Sequence, residues 1–119
     1  MILLTATGIC ISGLWSSCAY KKNDLLSIPC DTSGLVSFAA KVEPILKNNC
    51  FSCHNNSLNL GNVSLEGYDN IKNIAADGRL FGVINHTDGF PQMPLGGSRL
   101  DDCSIADIKK WIDSGKLNN

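Results

Sequence analysis

The sequence has almost no net charge. Ten Lys and Arg stand against eleven Asp and Glu, leaving −1 over 119 residues. That excludes the basic field with which a domain gathers nucleic acid. The chain lacks the length for a second sizeable domain, so one small core is expected. It lacks a second C-x-x-C and has only two histidines, His54 and His86. A zinc ribbon needs a second cysteine pair or a histidine pair, so that reading goes. No βαβ pattern surrounds residue 50, which removes the setting of a thioredoxin-type redox dithiol. The first twenty residues contain no Asp, Glu, Lys or Arg. Their apolar run, residues 2–14, is too short for a membrane span and reads as an export signal without a basic start.

What is present is a compact motif. Cys50-Phe51-Ser52-Cys53-His54 reads C-x-x-C-H, the spacing of c-type haem attachment. Two thiols at this spacing can each add across one vinyl group of a single porphyrin. The histidine that follows supplies the proximal imidazole for the iron. Cys50, Cys53 and His54 are therefore the primary cofactor residues, and one covalent haem c is the expected cofactor.

Cys18 follows two small residues and opens the polar run Ala19-Tyr20-Lys21-Lys22-Asn23-Asp24. This resembles a bacterial lipobox, with Trp15 where Leu is usual. On that reading residues 1–17 are a lipoprotein signal, Cys18 carries the lipid, and 18–34 is a tether. The plainer alternative is a secretory signal cut nearby, with Cys18 incidental. Buried acyl chains, at about 0.8 kcal/mol per CH₂, would hold the protein on the outer side of a bacterial membrane, periplasmic or surface-facing. Cys10 leaves with the signal, which leaves Cys30 and Cys103. In an oxidising compartment these are expected to form a disulfide; the alternative is two separate buried thiols.

From residue 35 to 119 the pattern is helical with irregular connections. Val42, Ile45 and Leu46 share one face of a first helix. Pro44 restricts its well-formed part to about Glu43–Asn49, with a looser turn before it. Residues 55–66 are rich in Asn and Gly and read as a loop. There Leu58, Leu60, Val63 and Leu65 are expected to line the cofactor edge from an extended segment. Glu66–Ala76 and Arg79–Asn85 read as short helices, broken at Asp77-Gly78. The last helix, Ser104–Gly115, is expected to be capped by Asp102 or Ser104. Its stripe of Ile105, Ile108, Trp111 and Ile112 should pack across Val42, Ile45 and Leu46.

Residues 86–99 hold two prolines and three glycines, which forbid regular structure. Met93 sits between the prolines at 91 and 94, in backbone stiff enough to aim one side chain. Met sulfur is a natural second axial ligand opposite a histidine, so Met93 is assigned that role. His86 has three readings: an exposed loop residue, a partner for a haem propionate, or a competing axial ligand. Arg79 and Arg99 are equally placed, on sequence, to pair a propionate.

Taken together, residues 35–116 resemble class I monohaem c-type cytochromes. The resemblance is carried by a helix ending in C-x-x-C-H, by Met93-Pro94-Leu95-Gly96-Gly97, and by the closing Ile-x-x-Trp-Ile helix. It is greatest to the lipoprotein cytochrome c domains of bacteria. Cys30 and Cys103, and the lack of a lysine ring, depart from the ordinary soluble members. The resemblance implies an all-α fold around one covalent haem, with the N- and C-terminal helices packed together. It also implies His54/Met93 ligation and electron carriage between redox proteins rather than enzymatic turnover. The competing expectation is a small-ligand sensor or haem enzyme with an open sixth position.

Overall fold

Pro44 decides how the first helix is built. It has no N–H to donate, and its ring crowds the carbonyl four residues back. In the computed structural model, which describes residues 30–119, the chain responds by widening the preceding turn. Phe38–Val42 is π-helical, with the Val42 N–H on Ser37 O at 3.3 Å and the Glu43 N–H on Phe38 O. Helix α1 (Glu43–Asn49) follows, with Pro44 in its first turn. Ser37 caps the whole segment, its hydroxyl accepting from the Ala40 N–H at 3.2 Å.

A 3-10 turn at Leu60–Asn62 and three more α-helices complete the regular structure, and every regular element among the described residues is helical. Helix α2 (Tyr68–Ala76) starts two residues later than the sequence pattern suggests, because Gly67 sits at φ 89°. Helix α3 (Arg79–Ile84) begins after Gly78, whose φ of 81° makes the reversal that Asp77-Gly78 signals. Helix α4 (Asp102–Asp113) is capped by Asp101, which accepts from the Ser104 N–H at 2.9 Å. Asp102 and Ser104 already lie inside the helix, so neither can be the cap. The export signal and Cys18 lie outside the described residues.

One core joins these pieces. Val42, Leu46, Ile71, Leu80, Ile84, Ile108 and Trp111 are almost completely buried. Phe38 stands between two other rings, edge-on to Tyr68 at 5.1 Å and tilted against Trp111 at 5.5 Å. Helix α4 lies across the π-helical turn and α3. The expected packing of α4 on the first helix is thus shifted toward Phe38 and Val42, and Ile45 is only half-buried. The end of the chain folds back over this junction. Trp111 Nε1 donates to Leu117 O at 2.8 Å, Tyr68 Oη to Lys116 O at 2.6 Å, and Ser37 Oγ to Asn119 O at 2.8 Å. On the other side, Cys30 and Cys103 are joined in a disulfide with their Cα atoms 5.1 Å apart. Lys110 Nζ on Thr32 O at 3.0 Å adds a second tie between this arm and α4.

Candidate functional site

The C-x-x-C-H stretch leaves α1 without a break in hydrogen bonding. The Cys50 N–H donates to Leu46 O at 2.8 Å, and the His54 N–H donates to Cys50 O at 2.9 Å. The motif is therefore one tight turn grown from the helix end. The asparagines after it hold the next loop. Asn55 Oδ1 accepts from the Ser57 and Leu58 N–H groups at 2.9 and 2.8 Å. Asn55 Nδ2 donates to Phe51 O at 2.8 Å. The Leu65 N–H then returns to His54 O at 2.9 Å. These bonds close the loop that follows the motif.

A cavity of about 420 Å³ opens beside this turn, within the size range of small-molecule and cofactor sites. Cys50 and His54 line one part of it, and Leu60, Val63 and Leu65 continue the wall. Ile74 from α2 and Leu80, Val83 and Ile84 from α3 supply further apolar surface. Phe90, Pro91 and Met93 contribute from the loop before α4. The cavity is thus overwhelmingly apolar, and Arg79 is the one cationic side chain among its lining residues. Arg79 currently pairs with Asp77, Nε to Oδ2 at 2.7 Å.

His54 is oriented by its backbone neighbour. Its Nδ1 lies 3.2 Å from Val63 O. A carbonyl only accepts, so the proton sits on Nδ1 and the Nε2 lone pair is free for a metal. This is the arrangement in which an outer partner fixes the tautomer of a ligating histidine. Met93 is held at both backbone atoms. Its N–H donates to Val83 O at 3.0 Å, and its carbonyl faces His86 Nε2 at 3.0 Å.

The cysteines of the motif differ. Cys50 lines the cavity, and burial, with Cys53 nearby as a smaller cause, pushes its thiol up to about 11. Cys53 is exposed and is not among the lining residues. Among the described residues, no group of three or more His, Cys, Asp or Glu forms a metal cage. A metal held here has to bring most of its own ligands, as iron does inside a porphyrin. One free imidazole nitrogen and one thioether as donors, with the Cys50 thiol beside them in an apolar slot, fit such a group, while Cys53 stands outside the lining.

Several sequence expectations change. Leu58 is 56 % exposed and does not line the cavity, whereas Leu60, Val63 and Leu65 do. Leu60 lies in a 3-10 turn at Leu60–Asn62, and the chain becomes extended at Val63, as expected for the lining segment. His86 is half-buried and engaged with Met93 O through Nε2, so it is not a loose loop residue, and it is not among the residues lining the cavity. Arg99 bonds Asp102 and Asn85 instead of lining the cavity, which separates it from Arg79. Gly82 and Phe90 escaped the sequence reading. The Phe90 ring packs on the bare Gly82 backbone, where an added Cβ would come within 2.6 Å of it. Comparison with protein-family models, characterised proteins and solved structures finds no match to this chain.

Proposed function

We propose that this protein is an exported electron carrier that holds one covalent haem c, with Cys50 and Cys53 as attachment points and His54 and Met93 as axial ligands. One observation carries the reading. The C-x-x-C-H turn and the Pro-flanked Met93 lie far apart in sequence, yet Cys50, His54 and Met93 line the same apolar cavity. When bound, iron porphyrin supplies a one-electron couple, and its potential rises with Met as axial ligand and with burial. The chain's own residues do the rest. Val63 O fixes the His54 tautomer. The α2 and α3 side chains Ile74, Leu80, Val83 and Ile84 give the slot an apolar wall. Arg79 is the residue available to an acidic substituent at the cavity wall.

No helix among the described residues is long and apolar enough to cross a membrane. Attachment to the membrane is assigned in this proposal to lipid on Cys18. The partners are other redox proteins, and no substrate is turned over.

The experiment is production of the full chain together with a c-type haem maturation apparatus. Mass spectrometry of the peptide spanning Cys50–His54 is expected to show the added mass of one haem. The oxidised protein is expected to show the weak near-infrared sulfur-to-iron band. Met93→Ala should abolish that band and lower the potential while the haem stays attached. Absence of haem on the peptide overturns the reading. Haem without the sulfur band, together with rapid CO binding in the reduced state, would favour a ligand sensor with an open sixth position.

A further inference from the structure

We infer that His86 is the positioning residue for Met93, holding the backbone of the axial-ligand loop through its side chain. The inference rests on the proposed His54/Met93 ligation and deepens it. Three observations meet at this residue. His86 Nε2 lies 3.0 Å from Met93 O, so the ring donates and the carbonyl accepts. His86 itself has φ 54°, a left-handed conformation that non-glycine residues adopt only when their surroundings hold them there. Those surroundings are a short network. The Thr87 N–H donates to Gly82 O at 2.9 Å. Asn85 Nδ2 donates to Thr87 Oγ1 at 3.1 Å, and Arg99 Nη2 donates to Asn85 Oδ1 at 2.7 Å.

The geometry divides the labour at Met93. Its N–H is tied to α3 through Val83 O at 3.0 Å, which fixes one side of the residue. The other side leads into Pro94 and the glycines at 96 and 97, and Leu95 there is 84 % exposed. Without the imidazole, the Met93 carbonyl is the point at which that exposed, glycine-rich loop would pull free. A side chain that orients a metal ligand from outside, here through the ligand's own backbone, is a recognised kind of support. The sulfur would then remain present but wander.

The test uses the full-length haem-loaded protein and two substitutions. Asn accepts the left-handed backbone but its amide is too short to reach Met93 O. His86→Asn therefore removes the donor without adding backbone strain. His86→Gln restores an N–H donor at comparable reach. The wild type is expected to show the near-infrared sulfur band and slow CO binding when reduced. His86→Asn should weaken or lose the band and bind CO faster by about tenfold or more, the size of effect seen when outer partners of a ligand are removed. His86→Gln should lie close to wild type. Haem mass on the Cys50–His54 peptide and far-ultraviolet circular dichroism are followed in parallel to show that each variant is loaded and folded. A loaded His86→Asn variant indistinguishable from wild type overturns the inference, as does equal loss in both variants. A wild type that lacks the sulfur band overturns the Met93 ligation itself, which separates the two failures.

Discussion

Cys50 carries a pH dependence that follows from its burial. Its thiol is pushed up to about 11, by desolvation first and by Cys53 second. A raised thiol leaves the folded state holding a proton that the unfolded chain releases from about its ordinary value of 9.0. Stability from this residue is therefore full below that value and falls as pH climbs toward 11. The haem-free chain should lose stability over that alkaline window, and Cys50→Ser should flatten the slope in urea titrations. In the same haem-free chain, iodoacetamide should modify exposed Cys53 well before Cys50 at mildly alkaline pH, read by mass spectrometry. At this scale the motif was legible because its spacing is local. The partner of His86 was not. It depends on where a loop seven residues long returns in space, and no spacing rule encodes that.

Helix α3 sets one wall of the cavity, and Gly82 is its thinnest point. Adding a methyl group in a helix ordinarily helps by about 1 kcal/mol. Here the new Cβ would come within 2.6 Å of the Phe90 ring, close to its attachment point. Overpacking of this kind costs about 1–3 kcal/mol, so it should outweigh the helix gain. Gly82→Ala is expected to destabilise by about 1 kcal/mol in denaturant titration. Pairing it with Phe90→Leu should recover part of the loss. If Gly82→Ala alone stabilises, the ring is free to move and the wall is soft. Helix α4 offers a second check. Asp101 accepts from the Ser104 hydroxyl and N–H at 2.6 and 2.9 Å, and these bonds, the hydroxyl's first, hold its carboxyl below the usual range. Asp101→Ala should cost about 1 kcal/mol at neutral pH. A lowered carboxyl contributes stability above its unfolded value and loses it as pH falls through the folded one. The difference between variant and wild type should thus narrow in acid below about pH 4. The helices themselves were readable from apolar periodicity and from breakers such as Pro44 and Gly78. The cap was misplaced by one to three residues because Asp101, Asp102 and Ser104 all suit the position chemically. Only backbone geometry, extended at Asp101, selects among them.

Across the whole molecule, two ties hold the outer segments to the core from opposite ends of the described chain. The Asn119 clamp on Ser37 and Phe38 closes one side, with bonds of 2.8 and 2.9 Å. The Cys30–Cys103 bond closes the other and spans 73 positions of sequence. A covalent link over so long a loop removes much of the unfolded chain's freedom, worth about 4 kcal/mol on the chain-entropy model. In a domain of this size that corresponds to a fall in Tm of roughly 15 °C or more on reduction. The proposed cofactor linkage makes the measurement selective. Thioethers are not cleaved by thiol reductants, so dithiothreitol would open Cys30–Cys103 and leave attached haem in place. In the haem-free chain Cys103→Ser should reproduce the reductant's effect, and reductant should then add nothing to it. Read on the oxidised Cys103→Ser protein without reductant, the sulfur-to-iron band is expected to persist at low temperature, because the cavity lining includes Cys50, His54 and Met93 and none of the Cys30 arm. Loss of the band in oxidised Cys103→Ser, ahead of any change in helical signal, would instead place the arm among the supports of the Met93 loop through α4.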